Sequence, residues 1–131
     1  MTKRINISSG TKWEAFAGYS RAVRVGDVVH VAGTTAVTED GTVMGGDDPY
    51  AQTCFILEKI EKALNDAGAT RQDVVRTRMF VVDIERWEEI GRAHGEFFAQ
   101  IRPAATMVEV SRLISPELLV EIEVDALCAP G

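Results

Sequence analysis

Strict alternation of apolar and polar residues marks one stretch near the end of the chain, from Val120 to Ala126. A period of two predicts a β-strand with apolar side chains on one face and polar side chains on the other. The polar face then carries three carboxylates, those of Glu121, Glu123 and Asp125. Because neighbouring carboxylates repel one another, this face needs cations, ordered water or a ligand beside it. It is therefore the first candidate for a functional site.

Two hairpins are predicted from the other β-prone runs. Residues 104–113 predict a strand that a turn around Ser115-Pro116 joins to the last strand. Earlier in the chain, residues 19–25 and 28–32 flank Gly26-Asp27, a pair typical of a tight hairpin turn.

The remaining non-helical segments are simpler. We expect short strands at residues 4–8 and 74–82. A polar link carrying Trp13 and Phe16 follows the first strand, and residues 39–46 are glycine-rich enough to predict a turn or a small irregular hairpin.

Two segments have the apolar period of a helix. The first begins at Asp47 or Asp48, with Pro49 in its first turn, and ends at Gly68. Its buried stripe leaves four charged residues facing water, namely Glu58, Lys59, Glu61 and Lys62. The second helix is capped by Asp83 and stopped by Arg102-Pro103. Its buried side is predicted to contain Trp87, Ile90, His94, Phe97, Phe98 and Ile101, with Trp87 and Phe98 in the core.

The order hairpin, helix, strand, helix, hairpin predicts an α+β sheet with two helices on one face. A chain of 131 residues is the size of one domain, spanning residues 1–131. Helices on one face leave the other face uncovered, and the chain has no further element to cover it. We therefore expect the protein to form oligomers.

Composition narrows the classes of function. A net charge of −6 argues against a nucleic-acid partner, because such binding depends on cationic contacts to phosphate. No apolar run approaches the ~20 residues of a membrane span, and the polar N-terminus is unlike a signal peptide, so we expect a cytoplasmic protein. The two cysteines and two histidines lack paired ligand spacing, which predicts neither a metal site nor a disulfide framework.

Five stretches of the chain together resemble one known family. They are Gly18-Tyr19-Ser20-Arg21-Ala22-Val23, Val28 to Thr34, Ala51-Gln52-Thr53 with Leu57 to Leu64, Pro103-Ala104 with Val108-Glu109-Val110, and Val120-Glu121-Ile122-Glu123. This pattern is similar to that of the Rid family, also called YjgF/YER057c/UK114. The resemblance implies a chorismate-mutase-like fold, assembled as a homotrimer with a central β-barrel and with ligand clefts between subunits.

The same resemblance implies a reaction. Members of the best-known branch hydrolyse imines or enamines derived from amino acids to a keto acid and ammonia, without cofactor or metal. Matched residue by residue, Tyr19 corresponds to the tyrosine that positions the ligand, and Gly33 to the glycine at the end of the hairpin. Thr106 corresponds to the residue after the substrate-binding arginine. Glu121 corresponds to the glutamate that holds the attacking water. The arginine itself corresponds to Ala105, which cannot pair with a substrate carboxylate. An asparagine of that branch corresponds to Gly91.

Each candidate also has a purely structural interpretation. Glu121 could hold the attacking water, or could pair with Arg76 or Arg78 of the middle strand. Arg21 and Arg102 could each replace the missing clamp for the ligand's carboxylate. The first could instead be a solvated strand charge, and the second a cation that complements a helix C-terminus.

Two functions follow from these alternatives. The first is imine or enamine hydrolysis by Glu121 on a keto-acid-like or imino-acid-like small molecule. The second is a trimer that binds a metabolite or a protein partner without catalysis, which the changes at Ala105 and Gly91 favour.

Overall fold

The computed structural model describes residues 2–129, which form a six-stranded sheet and three α-helices. The strands are β1 (Arg4–Ile7), β2 (Ala22–Val25), β3 (Val28–Thr34), β4 (Val74–Val81), β5 (Ala104–Glu109) and β6 (Val120–Leu127). The helices are α1 (Lys12–Ala17), α2 (Pro49–Asp66) and α3 (Trp87–Phe98). The predicted domain also includes Met1, Pro130 and Gly131, which lie outside the described residues. The predicted α+β class is confirmed.

Capping residues set the start of both long helices as predicted. The Asp48 carboxylate accepts hydrogen bonds from the backbone N–H groups of Tyr50 and Ala51, and Pro49 is the first helical residue of α2. Asp83 caps a 3-10 turn (Ile84–Arg86) that leads directly into α3. A second 3-10 turn (Arg71–Asp73) precedes β4 and is closed by reciprocal hydrogen bonds between Thr70 and Asp73. None of the helices described between residues 2 and 129 is long and apolar enough to cross a membrane.

The core lies between the sheet and the two long helices. In β6, Val120, Ile122, Val124 and Ala126 are buried, whereas the carboxylate residues between them are half-buried. This alternation confirms the prediction from the sequence. The apolar face of β6 packs with Ile56, Leu57 and Ile60 of α2. The carboxylates therefore point to the sheet face opposite the helices, as the strand period requires.

The predicted hairpin between β5 and β6 is wrong. β4 lies between these two strands, parallel to β5 and antiparallel to β6. The reason is α3, which connects β4 to β5 and makes the three elements a β-α-β crossover unit. β5 ends at Glu109, and the segment after it returns to the far side of β4 before β6 begins.

Two further predictions need correction. Residues 12–17 form the short helix α1 inside the predicted polar link, and Gly18 closes it with a left-handed φ of 74°. Phe98 is buried as predicted, but Trp87 is 54% exposed and does not belong to the core. A Cβ built on Gly91 would lie 3.9 Å from the Trp87 ring. The indole thus lies along the helix surface beside Gly91, at ordinary contact distance.

Candidate functional site

Two of the three carboxylates on β6 are bound by side chains of the neighbouring strands. Asp125 accepts a hydrogen bond from Nδ1 of His30 at 2.7 Å and another from Nη1 of Arg78 at 3.1 Å. The same Arg78 nitrogen lies 3.4 Å from Glu123. Arg78 is thus committed to Glu123 and Asp125. Within the described residues, the third carboxylate, Glu121, has no ion pair with Arg76 or Arg78, so this structural alternative is not what the chain adopts.

Glu121 lies against the backbone of Gly33. A β-bulge interrupts the pairing of β3 with β6 between Val31 and Thr34, and this bulge contains Gly33. A Cβ built on Gly33 would be only 2.1 Å from Oε2 of Glu121. Only glycine therefore allows the carboxylate to take this position beside the strand.

Burial gives Glu121 the character of a proton acceptor. Desolvation raises the pKa of its carboxyl above the ordinary value of 4.5. The positive charge of Arg21 lowers the pKa in part, and the negative charge of Glu123 raises it further. A half-buried carboxylate with a raised pKa can take a proton from a water molecule that it positions.

Arg21 supplies positive charge beside this carboxylate. Its Nη2 donates a hydrogen bond to the carbonyl oxygen of Gly33 at 2.6 Å, and its guanidinium carbon lies 5.9 Å from the centre of the Tyr19 ring. Its Nε is buried and has no hydrogen-bond partner among the described residues. Arg21 therefore connects Tyr19, Gly33 and Glu121, three of the residues that the resemblance selected.

Two groups near Arg21 were missed from the sequence. Glu14 of α1 is buried and accepts hydrogen bonds from Ser9. Burial alone would raise its pKa, but the hydrogen bonds from Ser9 and Ser8 and the charge of Arg21 lower it overall. Glu14 falls inside the predicted polar link, where no helical period suggested burial.

Lys59 was predicted to face water but is half-buried. Its Nζ donates to the carbonyl oxygens of Thr35 at 2.9 Å and Val37 at 2.7 Å. Its position four residues after Phe55 and four before Ala63, at the border of the apolar stripe, is the sequence signal that could have indicated this. Burial first, and the charge of Arg21 second, lower the pKa of Lys59 to about 8.

The other candidates lie at the far edge of the sheet. Thr106 pairs with Arg78 across the β4–β5 ladder, and Ala105 pairs with Thr77. Two strand spacings, or about 10 Å, therefore separate β5 from β6. Arg102 is exposed in the turn before β5 with a positive φ of 53°. One subunit does not bring these three residues together with Glu121.

A cavity of about 660 Å³ lies on the same sheet face as the carboxylates, and its lining includes Tyr19, His30, Glu123 and Asp125. Among residues 2–129, no group of three or more His, Cys, Asp and Glu side chains is arranged to hold a metal ion. Cys54 and Cys128 are free thiols. The described side chains on this face thus include carboxylates, guanidinium groups, a phenol and an imidazole.

Comparisons with known proteins agree on one family. A sequence model of the family described as endoribonuclease L-PSP matches residues 10–128. The chain is 54% identical to Rv2704 of Mycobacterium tuberculosis, a member of the YjgF/YER057c/UK114 family, whose crystal structure superposes with a TM-score of 0.87 over 95% of this chain and 99% of that one. The YyfA protein of Yersinia pestis, from the Rid protein family, is 29% identical, with a TM-score of 0.84 over 95% of this chain and 99% of that one. The uncharacterised protein SCO2049 of Streptomyces coelicolor is 38% identical over 120 residues, covering 92% of this chain and 89% of that protein.

Proposed function

The chain belongs to the endoribonuclease L-PSP family, also known as YjgF/YER057c/UK114 or Rid, and on that premise we propose that it hydrolyses imines or enamines derived from amino acids. The substrate is a small imino acid, and the products are the corresponding keto acid and ammonia. The reaction uses no cofactor or metal. The protein acts as a cytoplasmic homotrimer of single-domain subunits, with clefts between subunits as the sites of reaction.

The proposal rests on one observation. The carboxylate of Glu121 is half-buried, and no cation among the described residues is in direct contact with it. A water held by Glu121 attacks the imine carbon while the carboxylate accepts its proton. For a protonated imine this gives a neutral amino alcohol. Glu121 then returns the proton to the nitrogen, and ammonia leaves while the hydroxyl group gives its own proton to the carboxylate and becomes the ketone of the keto acid. The raised pKa of Glu121 suits a group that must both take and return a proton near neutral pH.

Arg21, Tyr19 and Gly33 hold the substrate on this side of the cleft. The positive charge of Arg21 acts on Glu121, and this guanidinium offers the substrate carboxylate a partner where the family arginine is absent. The Tyr19 ring, 40% exposed, forms the wall beside it. A backbone group of Gly33 contacts the polar end of the substrate.

The second wall comes from a neighbouring subunit in this proposal. β5 is an edge strand, and Ala105 and Thr106 on it are exposed. An exposed edge strand presents unpaired backbone N–H and C=O groups that another chain can cover. Packing β5 of one subunit beside the uncovered sheet face of the next brings Ala105, Thr106 and Arg102 towards Glu121, with the sheets forming the central barrel.

A second candidate function is a trimer that binds a metabolite or a protein partner without catalysis. The presence of Ala105 and Gly91 at two positions where the deaminase branch has arginine and asparagine favours it.

The test generates 2-iminopropanoate with an amino-acid oxidase and follows its disappearance with and without the protein. Hydrolysis faster than in buffer, and lost in Glu121→Gln, supports the enzyme. A rate equal to that in buffer, together with carboxylate ligands recovered unchanged, supports the binding trimer and overturns the proposed reaction. Cleavage of RNA by the same preparation would instead support the activity that the family description names.

A further inference from the structure

A large cleft lies on the helix side of the sheet, and its lining includes Arg21 but neither Glu121 nor Tyr19. Its volume is about 1110 Å³, and it is bounded by the segment after β1, the loop at residues 37–44 and one side of α2. We call it the α2 cleft. Its apolar walls include Ile7, Val37, Met44, Phe55 and Ala63. A cleft of this size and composition suits a small molecule with an apolar body.

The cationic wall of the α2 cleft is formed by Lys59 and Arg21. Neither has an ion pair with a carboxylate among the described residues, as salt bridges there involve other cations. Two of the three N–H donors of the Lys59 ammonium bind backbone carbonyls, which leaves one donor for a further acceptor. The buried, unpartnered Nε of Arg21 adds positive charge beside it.

Two positive charges close together at a partly buried site carry an electrostatic free-energy penalty unless an anion accompanies them. The lowered pKa of Lys59, caused by burial and then by Arg21, is the electrostatic sign of this cost. An anion entering the α2 cleft would relieve it. Glu121 and Glu14 each interact electrostatically with Arg21, and neither contributes to the pKa of Lys59. Lys59 is therefore the cation without an acidic partner.

The rim of the α2 cleft is acidic, which restricts the charge of the ligand. Glu39, Asp40 and Asp66 lie there, with Asp40 bound by the hydroxyls of Thr38 and Thr42, and Asp66 paired with Lys62 at 2.9 Å. These carboxylates repel a polyanion such as a nucleotide more strongly than they repel a single charge. A monoanion with an apolar body meets the fewest unfavourable contacts.

We propose that the α2 cleft is a binding site for small organic monocarboxylates, whose carboxylate accepts a hydrogen bond from Nζ of Lys59 while the apolar body contacts Phe55, Met44 and Ile7. The site is independent of the reaction proposed at Glu121. It shares only Arg21 with that site.

The experiment titrates ¹⁵N-labelled protein with 3-phenylpropanoate and, separately, with its neutral analogue 3-phenylpropanamide, and follows the backbone amide signals. We expect chemical-shift changes mainly in the backbone amides of residues 37–44 and 55–63. The affinity for the carboxylate should be about tenfold higher than for the amide. Lys59→Met should remove this preference. Lys3→Met, which changes an exposed lysine outside the cleft, should alter the affinity by no more than about twofold.

Three results would overturn the site: equal affinity for carboxylate and amide, undiminished binding by Lys59→Met, or shifts centred on Tyr19 and Glu121. Comparing the two probes needs no variant, so it decides the question even if Lys59→Met fails to fold. An imine assay on the same preparation separates the two proposals, because each activity can be present without the other.

Discussion

Replacing Gly33 with alanine tests whether the position of the Glu121 carboxylate matters. The backbone of Gly33 does not have a positive φ, so alanine is conformationally acceptable there. Its Cβ would lie 2.1 Å from Oε2 of Glu121, whereas ordinary contact begins at 3.4 Å. The difference, 3.4 − 2.1, shows that the carboxylate must move by about 1.3 Å.

The expected effects on stability and activity differ. Because the obstacle is the end of a flexible side chain, a rotamer change at Glu121 should limit the loss of stability to about 1 kcal/mol. A misplacement of about 1 Å at a reacting group can reduce a rate by about 100-fold. We therefore predict that Gly33→Ala remains folded but hydrolyses 2-iminopropanoate about 100-fold more slowly.

Urea denaturation and the imine assay together measure both effects. The matched control is Gly95→Ala in α3, where the added Cβ meets no atom within 4 Å. It should keep its activity and gain up to about 1 kcal/mol of stability, because alanine favours helix more than glycine does. A folded Gly33→Ala with unchanged hydrolysis would refute the role given to the Glu121 carboxylate.

Three further predictions concern pH, packing and the absent arginine. The pKa of Glu121 is raised in the folded protein, so ionisation of this carboxyl destabilises the fold as pH rises from the unfolded-state pKa through the folded-state pKa. Glu121→Gln cannot ionise, so urea titrations should show its stability relative to wild type increasing between about pH 4 and pH 7. An equal stability difference at both pH values would contradict this. Arg71 binds both carboxylate oxygens of Glu61, at 2.6 and 2.8 Å, and its guanidinium stacks 3.8 Å from the centre of the Phe97 ring. Arg71→Met should therefore lose about 1–2 kcal/mol of unfolding free energy, whereas Lys62→Met, at an exposed ion pair, should lose at most about 0.5 kcal/mol. Comparable losses in the two variants would show that the stacked pair adds no stability. Ala105→Arg should raise kcat/KM for 2-iminopropanoate about tenfold, and Ala105→Lys should raise it by a smaller factor, because only arginine binds a carboxylate through two parallel donors. If neither variant raises kcat/KM, Ala105 does not lie in the cleft.

Local patterns predicted most elements of this fold correctly. The period of two in β6, the Gly26-Asp27 turn and the caps at Asp48 and Asp83 are each determined by residues close in sequence. Strand order is a property of the whole sheet, and the β5–β6 hairpin was predicted wrongly because the short link suggested adjacency. The crossover through α3, which places β4 between them, was the stronger constraint.

The candidate site was predictable only in part. The resemblance selected Tyr19, Gly33 and Glu121, and Arg21 was recognised as a possible anion partner. Their link through the Gly33 carbonyl depends on a bulge that alternation alone does not reveal. Lys59 was missed because a lysine at the border of an apolar stripe is usually exposed, whereas here two backbone carbonyls of the loop between β3 and α2 hold it inside.

The most direct measurement is the rate constant for hydrolysis of 2-iminopropanoate by the wild-type protein compared with Glu121→Gln, at neutral pH and equal protein concentration. Our proposal predicts catalysis by the wild type and a loss of about 100-fold or more in the variant, since glutamine cannot accept the proton of the attacking water. Wild-type hydrolysis no faster than in buffer, or equal catalysis by both proteins, would contradict it.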